Sequence, residues 1–325
     1  MTQTLAGAID LGGTKILTAV ISADGSVLAS HRTATRARRG PEAVSSEMLD
    51  SLRQACAQAG TTLEGLAGIG VSAAGPLDAA QGILADPPNL HGWKNVPLGR
   101  MLHDHCGLPV MLENDANAAA LGEFAFGAGR GTRDMVYITV STGIGGGIIA
   151  DGRLYRGTGG AAGEIGHMTI ACGGERCGCG RLGCLEAYAS GTALARAGAR
   201  AAEDGSSPAL AALKARGQAI DAEGIAHAAA AGDPAAAAIL ARAAEYLGVG
   251  LMNTVHLFNP ELIVLGGGVS NLRAQLIDPA VAFMREHAFP TMAAAVRVEY
   301  AQRGAEAPVL GAAALVLPAG GSSDS

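Results

Sequence analysis

Hydrophobic positions near the start of the chain fall in short continuous runs. The runs 5–11, 16–21 and 66–72 have the length and flanks of buried strands. The turn signal Ala23-Asp24-Gly25-Ser26 separates the second run from a third strand at 27–33. The pattern then changes period. Residues 42–59, entered through Gly40-Pro41, repeat at helical spacing. Residues 98–105 predict a short helix, 110–112 a strand and 116–126 a helix directly after it. A second strand–glycine turn–strand unit follows at 135–141 and 148–150, about 130 residues after the first, which suggests two related halves. The alanine-rich stretch 191–244 reads as several helices, and a long one begins at Asp233-Pro234 and runs to about 257. Ile239, Leu240, Tyr246, Leu247, Val249 and Leu251 give that stretch an apolar face, so it packs instead of acting as a linker. A strand at 261–265, a helix at 272–287, a strand at 296–300 and a helix at 308–317 complete the pattern. The tail 318–325 has the composition of disorder.

Composition narrows the reading. With 325 residues and 49% hydrophobic content, the chain can build two domains. Aromatic residues are only 3% and glycines number 48, so the core is built from Ala, Val, Leu and Ile around tight turns. The net charge of −6 argues against a large nucleic-acid surface. No charged region followed by an apolar run opens the chain, and no apolar stretch is read as reaching the length of a membrane span. The expectation is a soluble cytoplasmic protein with neither a nucleic acid nor a membrane as partner.

Candidate chemistry concentrates in 163–188, which holds four of the six cysteines. His167, Cys177, Cys179 and Cys184 supply one imidazole and three thiolates, a complete ligand set for structural zinc. Gly178, Gly180 and Gly183 let a short backbone curl round one ion. Disulfides are the competing use, but Cys177 and Cys179 are too close in sequence to bridge readily, and a cytosolic compartment keeps thiols reduced. Cys172 is a fifth candidate ranked below Cys177. Zinc here would hold the flanking Glu164 and Glu186 at fixed positions.

Three glycine turns lie at strand ends. Asp10-Leu11-Gly12-Gly13-Thr14-Lys15 lacks the Walker spacing, yet its amides and hydroxyl could meet a phosphate, with Asp10 placed to hold hydrated Mg²⁺. An ordinary hairpin turn is the alternative. Thr142-Gly143-Ile144-Gly145-Gly146-Gly147 repeats the arrangement, and Gly266-Gly267-Gly268 fits close backbone approach to a nucleotide or a plain turn. Asp115, between a strand and a helix, is either a helix cap or a general base at the mouth of an α/β cleft. Asn89, in the proline-containing loop 86–93, is either a turn residue or a polar ligand. The arginines of 31–39 form a solvated face, with attraction of a polyanion as the minority reading.

Taken together, these motifs resemble the ROK family of bacterial sugar kinases and repressors, within the hexokinase–actin-like ATPase superfamily. The likeness extends from Ala8 to about Val316. Its specific part is Gly163-Glu164-Ile165-Gly166-His167, Cys177-Gly178-Cys179-Gly180 and Gly183-Cys184-Leu185-Glu186. The resemblance implies an α/β, two-domain, ribonuclease H-like fold with an interdomain cleft. Residues 1–115 and 306–317 would form one domain, and 116–305, with the zinc loop 163–188, the other. It implies phosphorylation of a hexose, glucose first, at its 6-hydroxyl by ATP with Mg²⁺. Asp115 would be the base, and Asn89, Asn114, Asp115, Glu164, His167 and Glu186 would contact the sugar. Gly12, Gly13, Thr14, Lys15, Thr142 and Gly143 would form the phosphate turns near Asp10, and Gly266 and Gly267 would lie near the adenosine. His167 would serve zinc with one ring nitrogen and sugar with the other.

The segment 88–93 and the complete Glu164, His167 and Glu186 set are similar to glucose-phosphorylating members. N-acetylmannosamine, N-acetylglucosamine and fructose kinases share most of these residues. Repressors of the family carry a helix-turn-helix ahead of the first strand. Only nine residues precede Asp10, so a kinase is expected in preference to a repressor. A non-catalytic sugar sensor is disfavoured by the intact Asp115 and phosphate turns. A homodimer or dimer of dimers is a family expectation.

Overall fold

In the computed structural model, which describes residues 4–87 and 89–318, β1 (Leu5–Leu11), β2 (Lys15–Ser22) and β3 (Val27–Ala34) form an antiparallel meander. After α1 (Pro41–Gln58), β4 (Ile69–Ala73) returns parallel to β1. A small hairpin, β5 (Leu77–Asp78) and β6 (Ile83–Leu84), and α2 (Leu98–Cys106) lead to β7 (Val110–Asn114), parallel to β4. Next come α3 (Asp115–Phe126), β8 (Met135–Val140), β9 (Ile144–Ala150) and β10 (Arg153–Leu154). The helical region comprises α4 (Glu186–Ala189), α5 (Gly191–Glu203), α6 (Pro208–Ala215), α7 (Ala222–Ala230) and α8 (Pro234–Phe258). The chain then runs through β11 (Leu262–Gly266), α9 (Asp278–His287), α10 (Pro290–Ala295), β12 (Arg297–Tyr300) and α11 (Ala307–Ala314). The two large sheets have the orders β3-β2-β1-β4-β7 and β10-β9-β8-β11-β12.

The chain divides into two compact units. The first comprises residues 1–133, 147–163 and 301–325, and the second 134–146 and 164–300. Expectation put the first boundary at 115 and the return at 306. In the structure α3 lies in the first unit with α11. The reason lies in side-chain size. On β1, Ile9 and Leu11 join the core under α1 and α2, whereas Ala6 and Ala8 face a second core with Val309, Leu310, Ala312 and Ala313 of α11. Where α11 meets β4 and α3, that second core is backbone packed on backbone. A Cβ on Gly70 would lie 1.7 Å from the Ala312 carbonyl oxygen, and one on Gly311 1.6 Å from that of Ala118. At the far end of α3 the buried carboxylate of Glu123 accepts the amides of Ala128 (3.0 Å), Gln302 (3.1 Å) and Arg303 (2.6 Å). This pins α3 to the chain entering α11.

In the second unit β8, β11 and β12 run parallel, and every residue of β11 is buried, as expected for a strand covered on both faces. One expectation needs correction. By length and composition alone, α8 could cross a membrane. In the fold its Leu240, Leu247, Leu251 and Val255 are buried, and the helix packs on α4, α5, α7 and α9. Alanine and glycine dilute its hydrophobicity enough to hide its length in the sequence. The helix expected at 272–287 starts with a π turn, Arg273–Ile277, before α9. Of the tail expected to be disordered, all but Pro318 lies outside the described residues.

Candidate active site

In the first unit the candidate residues gather along one edge of a sheet. Strands β1, β4 and β7 are parallel neighbours, with Leu11 opposite Ala73 and Ala73 opposite Asn114. Asp10, Ser72 and Glu113-Asn114 therefore sit at adjoining carboxyl ends, where α/β sheets place ligands. The Ser72 hydroxyl donates to Asp10 Oδ1 at 3.1 Å. Burial raises the Asp10 pKa above the ordinary carboxylate value, opposed by that hydrogen bond and by the charge of Lys15. The turn after β1 is closed by the Gly12 amide on the Lys15 carbonyl (3.0 Å) and by the Thr35 hydroxyl on the Gly12 carbonyl (2.7 Å). Asn89 packs against this turn so closely that a Cβ on Gly13 would lie 2.7 Å from Asn89 Cβ. The Asn89 loop is held by Trp93, buried, whose Nε1 donates to the Ala37 carbonyl at 3.3 Å.

The choice between cap and base at 115 is informed by its neighbour. Asn114 is the N-cap of α3, its side chain accepting the amides of Ala116 (2.9 Å) and Asn117 (3.4 Å). Asp115 is the first helical residue and accepts the Ala116 amide through Oδ1 at 2.8 Å. Beneath both lies Glu113, 1% exposed. It accepts the Asn114 amide and Asn117 Nδ2 through Oε1, each at 3.0 Å, and Arg156 Nε through Oε2 at 2.7 Å. Sequence reasoning missed Glu113 and Arg156 as site residues. The partners are 43 positions apart, and only the fold pairs them.

In the second unit the nitrogen and sulfur atoms of His167, Cys177, Cys179 and Cys184 lie within 4.8 Å of one another. Cys179 Sγ and Cys184 Sγ are 3.7 Å apart, and Cys177 Sγ is 3.7 Å from His167 Nδ1. With metal–sulfur bonds of about 2.3 Å, a tetrahedron has sulfur–sulfur edges of about 3.8 Å, so the four groups fit one tetrahedral ion. Burial pushes the Cys177 thiol up to about 12 and raises Cys184, while the backbone amide of Arg181 brings Cys179 down to about 6. For all three to be thiolates at once, a cation would have to lie among them. Cys172 is exposed and outside the group.

Two carboxylates flank the cluster, as the motif suggested. Glu164 Oε2 is 3.8 Å from His167 Nε2, the ring nitrogen turned away from the sulfurs. Glu186 has Oε1 3.5 Å from Cys177 Sγ and accepts the Ile144 amide through Oε2 at 2.9 Å. The second glycine turn thus touches the cysteine cluster through Glu186. A Cβ on Gly143 would lie 2.4 Å from Glu186 Oε2, so only glycine fits without a shift. The same turn is fastened to α5, where the Thr192 hydroxyl donates to the Thr142 carbonyl at 2.8 Å.

A cavity of about 660 Å³ opens beside it, lined by Thr142, Thr192, Asp221, His227, Gly268 and Gln275 among others. Thr142 is the one expected nucleotide residue among its lining; Gly143, Gly266 and Gly267 are not. Gly267, with φ of +88°, instead lies against the Val140 carbonyl, where a Cβ would come within 2.3 Å. The walls from α5 and α7 went unnoticed in the sequence because Asp221, Glu223 and His227 stand among alanines with no motif around them.

Comparison with known proteins agrees with these features. The ROK family profile matches residues 6–319, and the chain belongs to that family. A glucokinase of Halalkalibacterium halodurans is 35% identical, over 95% of this chain and 93% of its own. The ROK hexokinase of Thermus thermophilus superimposes with a TM-score of 0.80 at 37% identity, covering 97% of this chain and 98% of that one. A ROK glucokinase from Streptomyces griseus, solved with glucose and AMPPNP, gives 0.72 at 36% identity, covering 96% and 98%. A xylose repressor of Caldicellulosiruptor bescii is 32% identical over 83% of this chain and 67% of its own. The chain therefore has the two-domain actin-like sugar kinase fold.

Proposed function

We propose that the protein is an ATP-dependent hexose kinase that converts glucose to glucose 6-phosphate. The observation that carries this reading is Asp115 at the amino end of α3, on the same carboxyl edge of β1, β4 and β7 as the Gly12–Gly13 turn, with β4 between them. It is supported by identities of 35% and 36% to the two glucokinases named above. Asp115 would take the proton from the 6-hydroxyl as that oxygen attacks the γ-phosphorus of ATP, and the bond to the β–γ bridging oxygen breaks to release ADP. Asn89, Asn114, Glu164, His167 and Glu186 would orient the remaining hydroxyls. Buried sugar hydroxyls left unpaired would cost about 1–3 kcal/mol each, so fixed partners decide which hexose is accepted.

Gly12, Gly13, Thr14, Lys15, Thr142 and Gly143 would hold the phosphates, with Asp10 toward Mg²⁺ and Gly266 and Gly267 toward the nucleoside. Mg²⁺ neutralises charge on the phosphates when bound. Zinc would be held by His167, Cys177, Cys179 and Cys184, and would brace Glu164 and Glu186. The turns and Asp115 together favour a kinase over a sugar-responsive regulator. We place the protein in the cytoplasm, where ATP is available and thiols stay reduced, and expect a homodimer or dimer of dimers, which light scattering tests. An ADP-release assay across glucose, fructose, mannose, N-acetylglucosamine and N-acetylmannosamine tests the reaction. Glucose should give the highest kcat/KM, and absence of ADP release with all five would overturn it.

A further inference from the structure

We propose that Glu113 and Arg156 form a positioning pair for this reaction, an assignment that rests on the kinase reading above. Glu113 is buried, and among the described residues its carboxylate accepts from groups around Asp115 and from Arg156. Its Oε1 fixes the amide of Asn114 and the side chain of Asn117, the residues on either side of the Asp115–Ala116 step. Its Oε2 takes Arg156 Nε at 2.7 Å. Arg156 in turn begins the glycine-rich segment 157–163. Its carbonyl accepts the Ala162 amide at 3.0 Å, folding that segment back on its own root. Eight residues after Arg156 comes Glu164. One ion pair therefore fixes both the backbone that aims the base and the root of the segment that ends at a sugar contact.

Stability alone does not account for the pair. The Arg156 side chain is 37% exposed, and an ion pair open to water on one side adds little stability. An apolar residue at 113 would leave the Asn114 amide and the Asn117 carboxamide without this acceptor, and the strand end would lose its fixed direction. Neither Glu113 nor Arg156 reaches the reacting atoms in this scheme. They act through Asp115.

The test is glucose phosphorylation with a double-mutant cycle and thermal melts. Arg156→Met should lower kcat roughly 10- to 100-fold, the scale of a small misplacement at a reacting centre, with KM for ATP within about twofold of wild type. Arg156→Lys keeps the charge without the Nε geometry, and should recover part of the loss. Glu113→Gln with Arg156→Met should turn over faster than Arg156→Met alone, since no buried charge is left unpaired. Wild-type kcat in Arg156→Met, or losses that simply multiply in the double variant, would overturn the assignment. If Arg156→Met does not fold, Arg156→Lys decides: reduced kcat at unchanged Tm supports the pair, and wild-type kcat removes it. Wild-type protein that phosphorylates no hexose would instead defeat the kinase reading itself.

Discussion

His167 Nδ1 stands 3.7 Å from Cys177 Sγ, while its Nε2 stands 3.8 Å from Glu164 Oε2. One ring thus faces a sulfur cluster with one nitrogen and a carboxylate with the other. A metal on Nδ1 would fix the proton on Nε2 and make it a hydrogen-bond donor. With that metal bound, the cluster would support the groups around it. The predictions below follow from that support and from Asp115.

Asp115→Asn should lower kcat by about 10²- to 10⁴-fold, the usual contribution of a general base. Glucose binding, measured by calorimetry, should persist, because the asparagine keeps the size and one acceptor. Wild-type turnover in this variant would remove Asp115 from the role.

Most of the fold could be read from the sequence because its strands are short buried runs and its helices periodic. The glycine turns and the Cys/His spacing are local signals, and the four Cys/His groups do come together in the fold. The Glu113–Arg156 pair and the α5 and α7 walls of the cavity were not, because those residues meet only in three dimensions. The place of α3 was missed for a related reason. Its backbone contact with α11 depends on alanines and glycines that carry no hydrophobic stripe. Asn114 serves as a cap in addition to its expected sugar contact, and spacing alone does not separate those uses.

Removing metal should unsettle the second unit. Cys179→Ser, or incubation with a strong chelator, should lower Tm and weaken glucose affinity, since Glu164 and Glu186 lose their brace. Elemental analysis of untreated protein should give about one zinc per chain. An unchanged melting curve and affinity after complete metal removal would count against the brace.

Gly143→Ala places a methyl group where Glu186 Oε2 lies, 2.4 Å from the ideal Cβ position. Glu186 must then give up its bond to the Ile144 amide or the turn must shift. We expect KM for glucose and KM for ATP to rise together, by roughly tenfold or more, as one hydrogen bond to a charged group is lost. An effect on neither would show that this contact is not used.

Asp233 links pH to stability. It caps α8 through the Ala236 amide (2.9 Å) and accepts the Ser207 hydroxyl (2.7 Å) and the Ala209 amide (3.3 Å). Burial pushes its carboxyl up, but these hydrogen bonds outweigh it, and the net pKa lies below the ordinary value. A depressed folded pKa gives stability that is present above the unfolded value and lost as pH falls through the folded one. Asp233→Ala should cost about 0.5–2 kcal/mol at neutral pH. The gap between the two proteins should shrink below about pH 4, as denaturant melts across pH will show.

The most direct measurement is ATP consumption by purified, folded protein of known metal content, with glucose as the acceptor and glucose 6-phosphate as the product followed. The account predicts ADP and glucose 6-phosphate in equal amounts from zinc-containing protein, and almost none from Asp115→Asn. Folded, zinc-loaded wild-type protein that leaves both ATP and hexoses untouched would contradict it.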